Sequence, residues 1–347
     1  MKNKKLLAEI CEVAGAPGHE QRVREIVLRE VKSLVDEIRM DNMGNVVAIK
    51  KGKEDKRVMI AAHMDEIGFI VTHIDNKGFI YFHTLGGFDP KTLTAQRVII
   101  HGKKDVIGVM GSKPIHLMNA ADRAKVPTIK DYFIDTGRPK KELEKLVSVG
   151  DTITRERKMI EMGDCLNCKS LDNRVSVFIL IETLKELKNP PYDVYAVFTV
   201  QEEIGIRGAN VSSMDINPDF GFGLDTTIAF DTPGSTKQEQ VSALGEGACI
   251  KVMDSSTVCD YRMVAYMKDI SKKKKIKTQL EILPAGGTDT AGVQRMNPGG
   301  SIAGAVSIPT RHIHQVIEMV HKKDVRDSID LLRHCVENLN TYDWNFK

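Results

Sequence analysis

The chain has 347 residues, 41% hydrophobic and 28% charged, which is length enough for two domains and a composition ordinary for a globular protein. Lys and Arg total 50 against 47 Asp and Glu, a near-neutral balance that gives no reason to expect nucleic acid or another polyanion as partner. No run reaches the roughly 18 apolar residues that cross a bilayer, so no membrane partner is expected, and six scattered cysteines point to a reducing cytoplasm and not to a disulfide scaffold.

Helical periodicity covers residues 3–14, where Glu9 and Glu12 interrupt the apolar positions and mark an amphipathic helix instead of a signal peptide. A second helix is expected over 19–35, after the turn Gly15-Ala16-Pro17-Gly18. NVVAIKKG and RVMIAAHMD then read as buried strands. From Ile67 to Arg157 the pattern changes to short strand-like runs (FIVTHI, GFIYFHTL, RVIIHG, VIGVMG, DYFIDTG) punctuated by Gly and Asp, with KKELEKL alone clearly helical. A compact β-barrel or sandwich is expected there.

Alternation then resumes, with a helix over 174–187, a strand over 192–200, a helix over 204–214 and a strand over 219–225. A helix over 259–275, strands over 277–283 and 301–308 and a closing helix over 325–339 follow; the basic run Lys272 to Lys275 reads as a solvated helix end. Strands alternating with helices predict an α/β fold whose sheet is covered on both faces. The simplest organisation joins 1–66 to 158–347 as one α/β domain, with 67–157 inserted into it as a β-rich domain.

His63, Asp172, Glu202, Glu203, Asp225 and His314 each stand where an apolar run ends or a helix begins. Ligands of α/β proteins bind beyond the carboxyl ends of strands, and His63, Glu202, Glu203 and Asp225 fall at such ends. Asp172 instead opens a helix behind Ser170, its candidate N-cap, where the plain role is to complement the helix dipole. Asp65, two residues past His63, can accept the second imidazole N–H and fix the tautomer. Glu202 and Glu203 leave their strand in different directions, so one can hold a metal while the other faces a water. Alternation puts His312 and His314 on one face of an extended segment and leaves open which of them coordinates. His and carboxylate donors from five separate segments, with no Cys required, are what a two-metal hydrolase uses. Cys165-x-x-Cys168 lacks the second pair of a structural zinc site and reads as spare thiols. Gly286-Gly287-Thr288-Asp289 is either a tight loop beside substrate or a plain turn into a helix capped by Thr288.

The stretches AAHMDEIGF, SLDNR, TVQEEIGIRGA, GLDTT, PAGGTDT and PTRHIH, with the opening GAPGHE, resemble the tetrahedral metallo-aminopeptidases over essentially the whole chain. That family includes glutamyl, leucyl and deblocking enzymes, and some members carry a cellulase M or endoglucanase label. The resemblance implies a zinc-exopeptidase-like α/β fold, a mixed sheet flanked by helices, and two divalent ions per subunit, Zn2+ or Co2+ with Mn2+ as a further candidate. Asp172 would bridge them, His63 and Asp225 completing one and Glu203 and His314 the other. Glu202 would be the catalytic base on the bridging water, with Asp65 as the partner of His63. Peptides with a free α-amine would be the substrates. The inserted barrel-like domain would mediate dimers, and dimers would build a twelve-subunit tetrahedral homo-oligomer. His312 stands where the family usually has Tyr, Gln315 where Ser commonly follows the ligand, and the Cys165/Cys168 pair is not a family feature. A glycosidase is disfavoured, because its two carboxyls must flank a sugar about 5–10 Å apart and aromatic residues make up only 5% of the chain. A deacylase or carboxypeptidase on the same paired metals is a nearer alternative. A non-catalytic assembly protein would be expected to lose Glu202 or a ligand, and none is missing.

Overall fold

The computed structural model describes residues 2–346. An eleven-stranded mixed sheet carries the fold. Its centre is four parallel strands in the order Tyr192–Thr199, Glu54–His63, Phe220–Ile228 and Ile302–Arg311. Val46–Lys50 and Glu37–Met40 extend one side antiparallel. Glu318–His321, Cys165–Cys168 and Ile160–Met162 extend the other, and Ala248–Met253 and Thr278–Ile282 branch from Ile302–Arg311.

Parallel strands covered on both faces must be apolar along their length, and residues 58–63 and 220–227 are accordingly buried without alternation. One face packs against Leu171–Glu186, which is buried almost all round because Lys4–Glu12, Gln21–Val31 and Lys322–Glu337 lie outside it. Arg207–Ile216 and Thr290–Arg295 cover the other face. Burial of each large apolar side chain contributes about 1.5–3 kcal/mol. The core around Phe178, Phe198 and Phe222 therefore anchors the strand order.

Between Glu54–His63 and Ile160–Met162 a closed barrel runs Gly68–Ile74, Ile80–Leu85, Tyr132–Asp135, Asp105–Ser112, Arg97–His101 and Thr152–Arg155. It has a core of its own, built on Phe69, Ile80, Val98, Ile134 and Ile153. Closure removes the open edges that a sandwich would leave. The α/β sheet with helices on both faces and the β-barrel are as the alternation predicts. Several details differ, among them the strands Ile160–Met162, Cys165–Cys168 and Glu318–His321, which the pattern did not mark. The helix expected over 19–35 stops at Val31, and Glu37–Met40 follows as an edge strand whose half-exposed pattern carries little apolar signal. The helix expected from residue 204 begins at Arg207, because the amides of Gly205 and Ile206 first turn back onto the Glu202 carbonyl. The strand Ala248–Met253 was not foreseen at all.

Gly223 lets the helix Thr290–Arg295 approach the central sheet, since a Cβ there would lie 1.9 Å from Thr290 Oγ1 and 3.2 Å from Thr290 Cα. Gly223→Ala should therefore cost about 1–3 kcal/mol by overpacking, read as a lower midpoint in denaturant unfolding. An unchanged midpoint would show that the helix can move aside freely.

Candidate metal centre

The carboxyl ends of the four parallel strands converge on one cavity. His63 is the last residue of its strand, Asp225 lies near the end of Phe220–Ile228, Glu202 and Glu203 follow Tyr192–Thr199, and His314 follows Ile302–Arg311. Donor atoms of His63, Asp172 and Asp225 lie within 4.8 Å of one another, and so do those of Asp172, Glu203 and His314. Asp172 belongs to both groups, its Oδ1 lying 3.6 Å from His63 Nε2 and its Oδ2 3.4 Å from His314 Nε2. Asp225 and Glu202 each lie 3.7 Å from His63 Nε2, and Glu203 lies 3.5 Å from His314 Nε2. Such gaps are long for hydrogen bonds. They suit donors that each sit about 2.0–2.2 Å from a tetrahedral ion and hence about 3.4 Å from each other.

Peptide N–H groups set these side chains in place. The Asp65 carboxylate accepts the amides of Glu202 at 3.0 Å and Glu203 at 3.1 Å, so it fixes the glutamate pair. It also lies 3.4 Å from His63 Nδ1, which faces the Asp65 carbonyl at 3.2 Å. Asn45 accepts the Val200 amide and donates to the Gly208 carbonyl, bracketing the same loop. Glu318, which the sequence reading missed, accepts the Asp172 amide at 2.9 Å and the His314 amide at 3.1 Å through its two oxygens. Buried Arg155, from the barrel, donates to the His314 carbonyl at 3.0 Å. A signal for Glu318 does exist, since it is a lone charge in the apolar run VIEMV.

Two local expectations fail. Ser170 does not cap the helix at Asp172: its φ is 52°, and its hydroxyl donates to the Cys11 carbonyl while Asp172 and Asn173 keep non-helical angles. His312 and His314 do not share a face of an extended segment, because the strand ends at Arg311 and both residues have positive φ, 59° and 63°. The chain coils there, placing His314 in the cluster and His312, exposed, at the cavity rim.

Burial raises the Glu202 carboxyl well above its ordinary value, opposed by His63. Burial likewise lifts Glu203 to about 8 and Asp289 to about 7. For His314, burial disfavours the charged ring, yet Glu203 and Asp172 overcome it and hold the group near about 10. Glu203 Oε1 is buried without a hydrogen-bond partner. In the absence of a cation, protons must neutralise this excess of acid. Imidazole and carboxylate donors with surplus negative charge fit divalent ions.

The family model described as M42 glutamyl aminopeptidase matches residues 44–331. The chain belongs to that family. It is accordingly a hydrolase of the aminopeptidase class. The chain is 36% identical to an aminopeptidase from the archaeon Desulfurococcus kamchatkensis, with a TM-score of 0.92 covering 96% of this chain and 94% of that one. It is 32% identical to the lysyl aminopeptidase of Pyrococcus furiosus over 98% of both chains. A TET1 peptidase of Pyrococcus horikoshii, described as assembling into a tetrahedron or a large octahedral shell, matches with a TM-score of 0.86 at 29% identity, covering 96% of this chain and 98% of that one.

Glu203, Asp289 and His314 all have folded pKa values above their unfolded ones. Each therefore adds stability that is full below the unfolded value and is lost as pH rises through about 7, about 8 and about 10. Metal-stripped protein should unfold at steadily lower temperature from about pH 6 to about pH 10, and Zn2+ or Co2+ should restore more at the alkaline end. A flat profile in a chelator-treated thermal scan would contradict the charge imbalance. Glu318→Ala, which leaves two ligand-bearing amides unpaired, should weaken metal affinity by about 10–100-fold, measured by chelator competition.

Proposed function

We propose that the chain is a two-metal aminopeptidase that removes the N-terminal residue of peptides, with Glu202 as the group that moves protons. The supporting observation is a single carboxylate, Asp172, turned toward two donor clusters through its two oxygens. His63 and Asp225 would hold one divalent ion with Asp172, and Glu203 and His314 the other; Zn2+, Co2+ and Mn2+ all suit these donors. When bound, such a pair would supply Lewis acidity at the scissile carbonyl and would make the attacking water acidic near neutral pH. Glu202 accepts that water's proton and returns it to the departing amine, a task suited to a buried carboxyl whose pKa is raised. Asp65 keeps His63 and the two glutamates in register.

In the same reading, 67–157 is an inserted domain interrupting the unit formed by 1–66 and 158–347, and its barrel is a dimer surface. Outward apolar side chains on the barrel, Ile107 and Val109, support this. Assembly of dimers into a tetrahedral dodecamer is supported by the behaviour described for the TET1 peptidase. A cytoplasmic location accords with six unpaired thiols. A two-carboxylate glycosidase would leave His63 and His314 without a role.

Glu202→Gln should lower hydrolysis of an aminoacyl anilide by about 10²–10⁴-fold with both metals still bound, shown by metal analysis of the purified variant. Near-normal turnover in that variant would remove Glu202 as the base. Peptides acetylated at the N terminus should resist cleavage; equal cleavage of blocked and free peptides would favour a deacylase.

A further inference from the structure

The cavity extends far beyond the ligand cluster, to about 830 Å³. Its remote wall comes from segments distant in sequence: Ile206 after the glutamates, Ile228 and Phe230 beyond Asp225, and Leu283 and Ala285 ahead of the glycine loop. Apart from the cluster, Lys251 and Asp254 are the only Lys, Arg, Asp or Glu lining it among the described residues. They already serve each other. Lys251 Nζ lies 3.0 Å from Asp254 Oδ2 and 3.0 Å from Glu281 Oε1, and all three side chains are fully buried. Asp254 is further occupied by the Ser256 amide at 2.8 Å and the Thr288 hydroxyl at 3.1 Å, and Glu281 by the Thr227 hydroxyl at 2.8 Å. Gly287, whose Cβ would meet Ser256 Oγ at 2.3 Å, lets the glycine loop close over this network.

An N-terminal residue whose scissile bond reaches the cluster must put its side chain against this wall or the rim. A glutamyl carboxylate there would have to draw Lys251 from two existing partners and would sit beside Asp254. A lysyl ammonium would find both Asp254 oxygens already accepting hydrogen bonds. Neither charge would find a free partner on this wall to offset its desolvation, whereas an aliphatic side chain would cover Ile206, Ile228, Phe230 and Leu283 and gain from their burial. We propose that this wall selects peptides with an uncharged aliphatic N-terminal residue, leucine or methionine in type, and that the Lys251–Asp254–Glu281 triad, by engaging the lysine's charge, is the element that rejects acidic ones. This inference rests on the aminopeptidase reading above and names its substrate class.

The test uses metal-loaded enzyme and the p-nitroanilides of leucine, methionine, glutamate and lysine. The two aliphatic substrates should exceed both charged ones in kcat/KM by at least about tenfold. Glutamyl or lysyl anilide cleaved as well as leucyl overturns the proposal and leaves the aminopeptidase reading standing; cleavage of none of them, or of N-acetylleucyl anilide alone, removes both. Asp254→Asn combined with Glu281→Gln leaves Lys251 unpaired and should raise the glutamyl-to-leucyl ratio by about tenfold or more. Ile228→Lys, at a half-exposed position independent of the buried triad, should shift the ratio in the same direction even where the double variant fails to fold. A ratio unmoved in every variant that folds refutes the role of the wall. Titration of Glu202→Gln protein with free leucine and free glutamate separates binding from turnover, and leucine should bind more tightly. Glutamate binding as tightly as leucine would overturn the selection.

Discussion

The centre rests on surplus negative charge gathered where water is scarce. Asp172, Glu202, Glu203 and Asp225 stand within a few ångströms of two imidazoles, and the carboxyls of Glu202, Glu203 and Asp225 are pushed toward their protonated forms by burial. Asp172 goes the other way, because His63 and His314 outweigh its burial and hold it well below the usual carboxylate range. The one carboxyl of the four whose pKa is lowered is therefore the one placed between the two donor clusters. Such a constellation is costly in isolation, and its persistence makes sense when cations are part of the folded state.

Rigid parts of the fold bear that cost. The candidate ligands stand at or near strand ends, apart from Asp172 at a helix start, and several of their peptide groups are gripped by carboxylates outside the two donor clusters. Asp65 holds the glutamate loop, and Glu318 holds Asp172 and His314 together. Behind them Glu66, adjacent to Asp65, accepts two hydrogen bonds from buried Lys169 at 2.8 and 2.7 Å, tying the loop after His63 to the segment before Asp172. Non-glycine residues with positive φ cluster on the same segments, at Ser170, Gln201, Ile206, His312 and His314. Left-handed backbone costs about 1–2 kcal/mol per residue, and its concentration here matches the tendency of strain to collect at functional sites. Arg155 brings the barrel into this scheme, since a strand outside the large sheet donates to the His314 carbonyl.

The parts of this design carried by local pattern were legible in the sequence. Continuous apolar runs marked the parallel strands, and short Gly-punctuated runs marked the barrel. The residues His63, Asp172, Glu203, Asp225 and His314 could be picked out because each interrupts or ends such a run. What escaped was information held across space. Glu318 joins the nearby His314 amide to that of Asp172, far away in sequence, and Arg155 reaches the distant His314 carbonyl, links that no periodicity reports. Alternation could not choose between His312 and His314 for another reason, since it presumes extended backbone and the chain leaves it at His312. Ser170 read as a cap because serine before a helix usually is one, yet here the Cys11 carbonyl takes its hydroxyl.

The two ends of the cavity solve opposite electrostatic problems with the same kinds of residue. At the floor, acids outnumber the imidazoles beside them, Glu203 Oε1 lacks a partner, and the imbalance favours a cationic ligand. At the wall, Lys251 is set between Asp254 and Glu281, and the hydroxyls of Thr288 and Thr227 donate to the same two carboxylate oxygens that Lys251 approaches. A lone buried lysine would have drawn acidic side chains into the cavity, and a lone buried aspartate would have drawn basic ones. Setting the lysine between two carboxylates leaves it no unengaged charge to offer an acidic side chain. The strand Phe220–Ile228 joins the two regions, offering Asp225 to the cluster and, beyond Thr227 with its bond to Glu281, Ile228 to the cavity wall. One continuous strand thus sets the distance between the donor clusters and the apolar wall proposed to receive the N-terminal side chain.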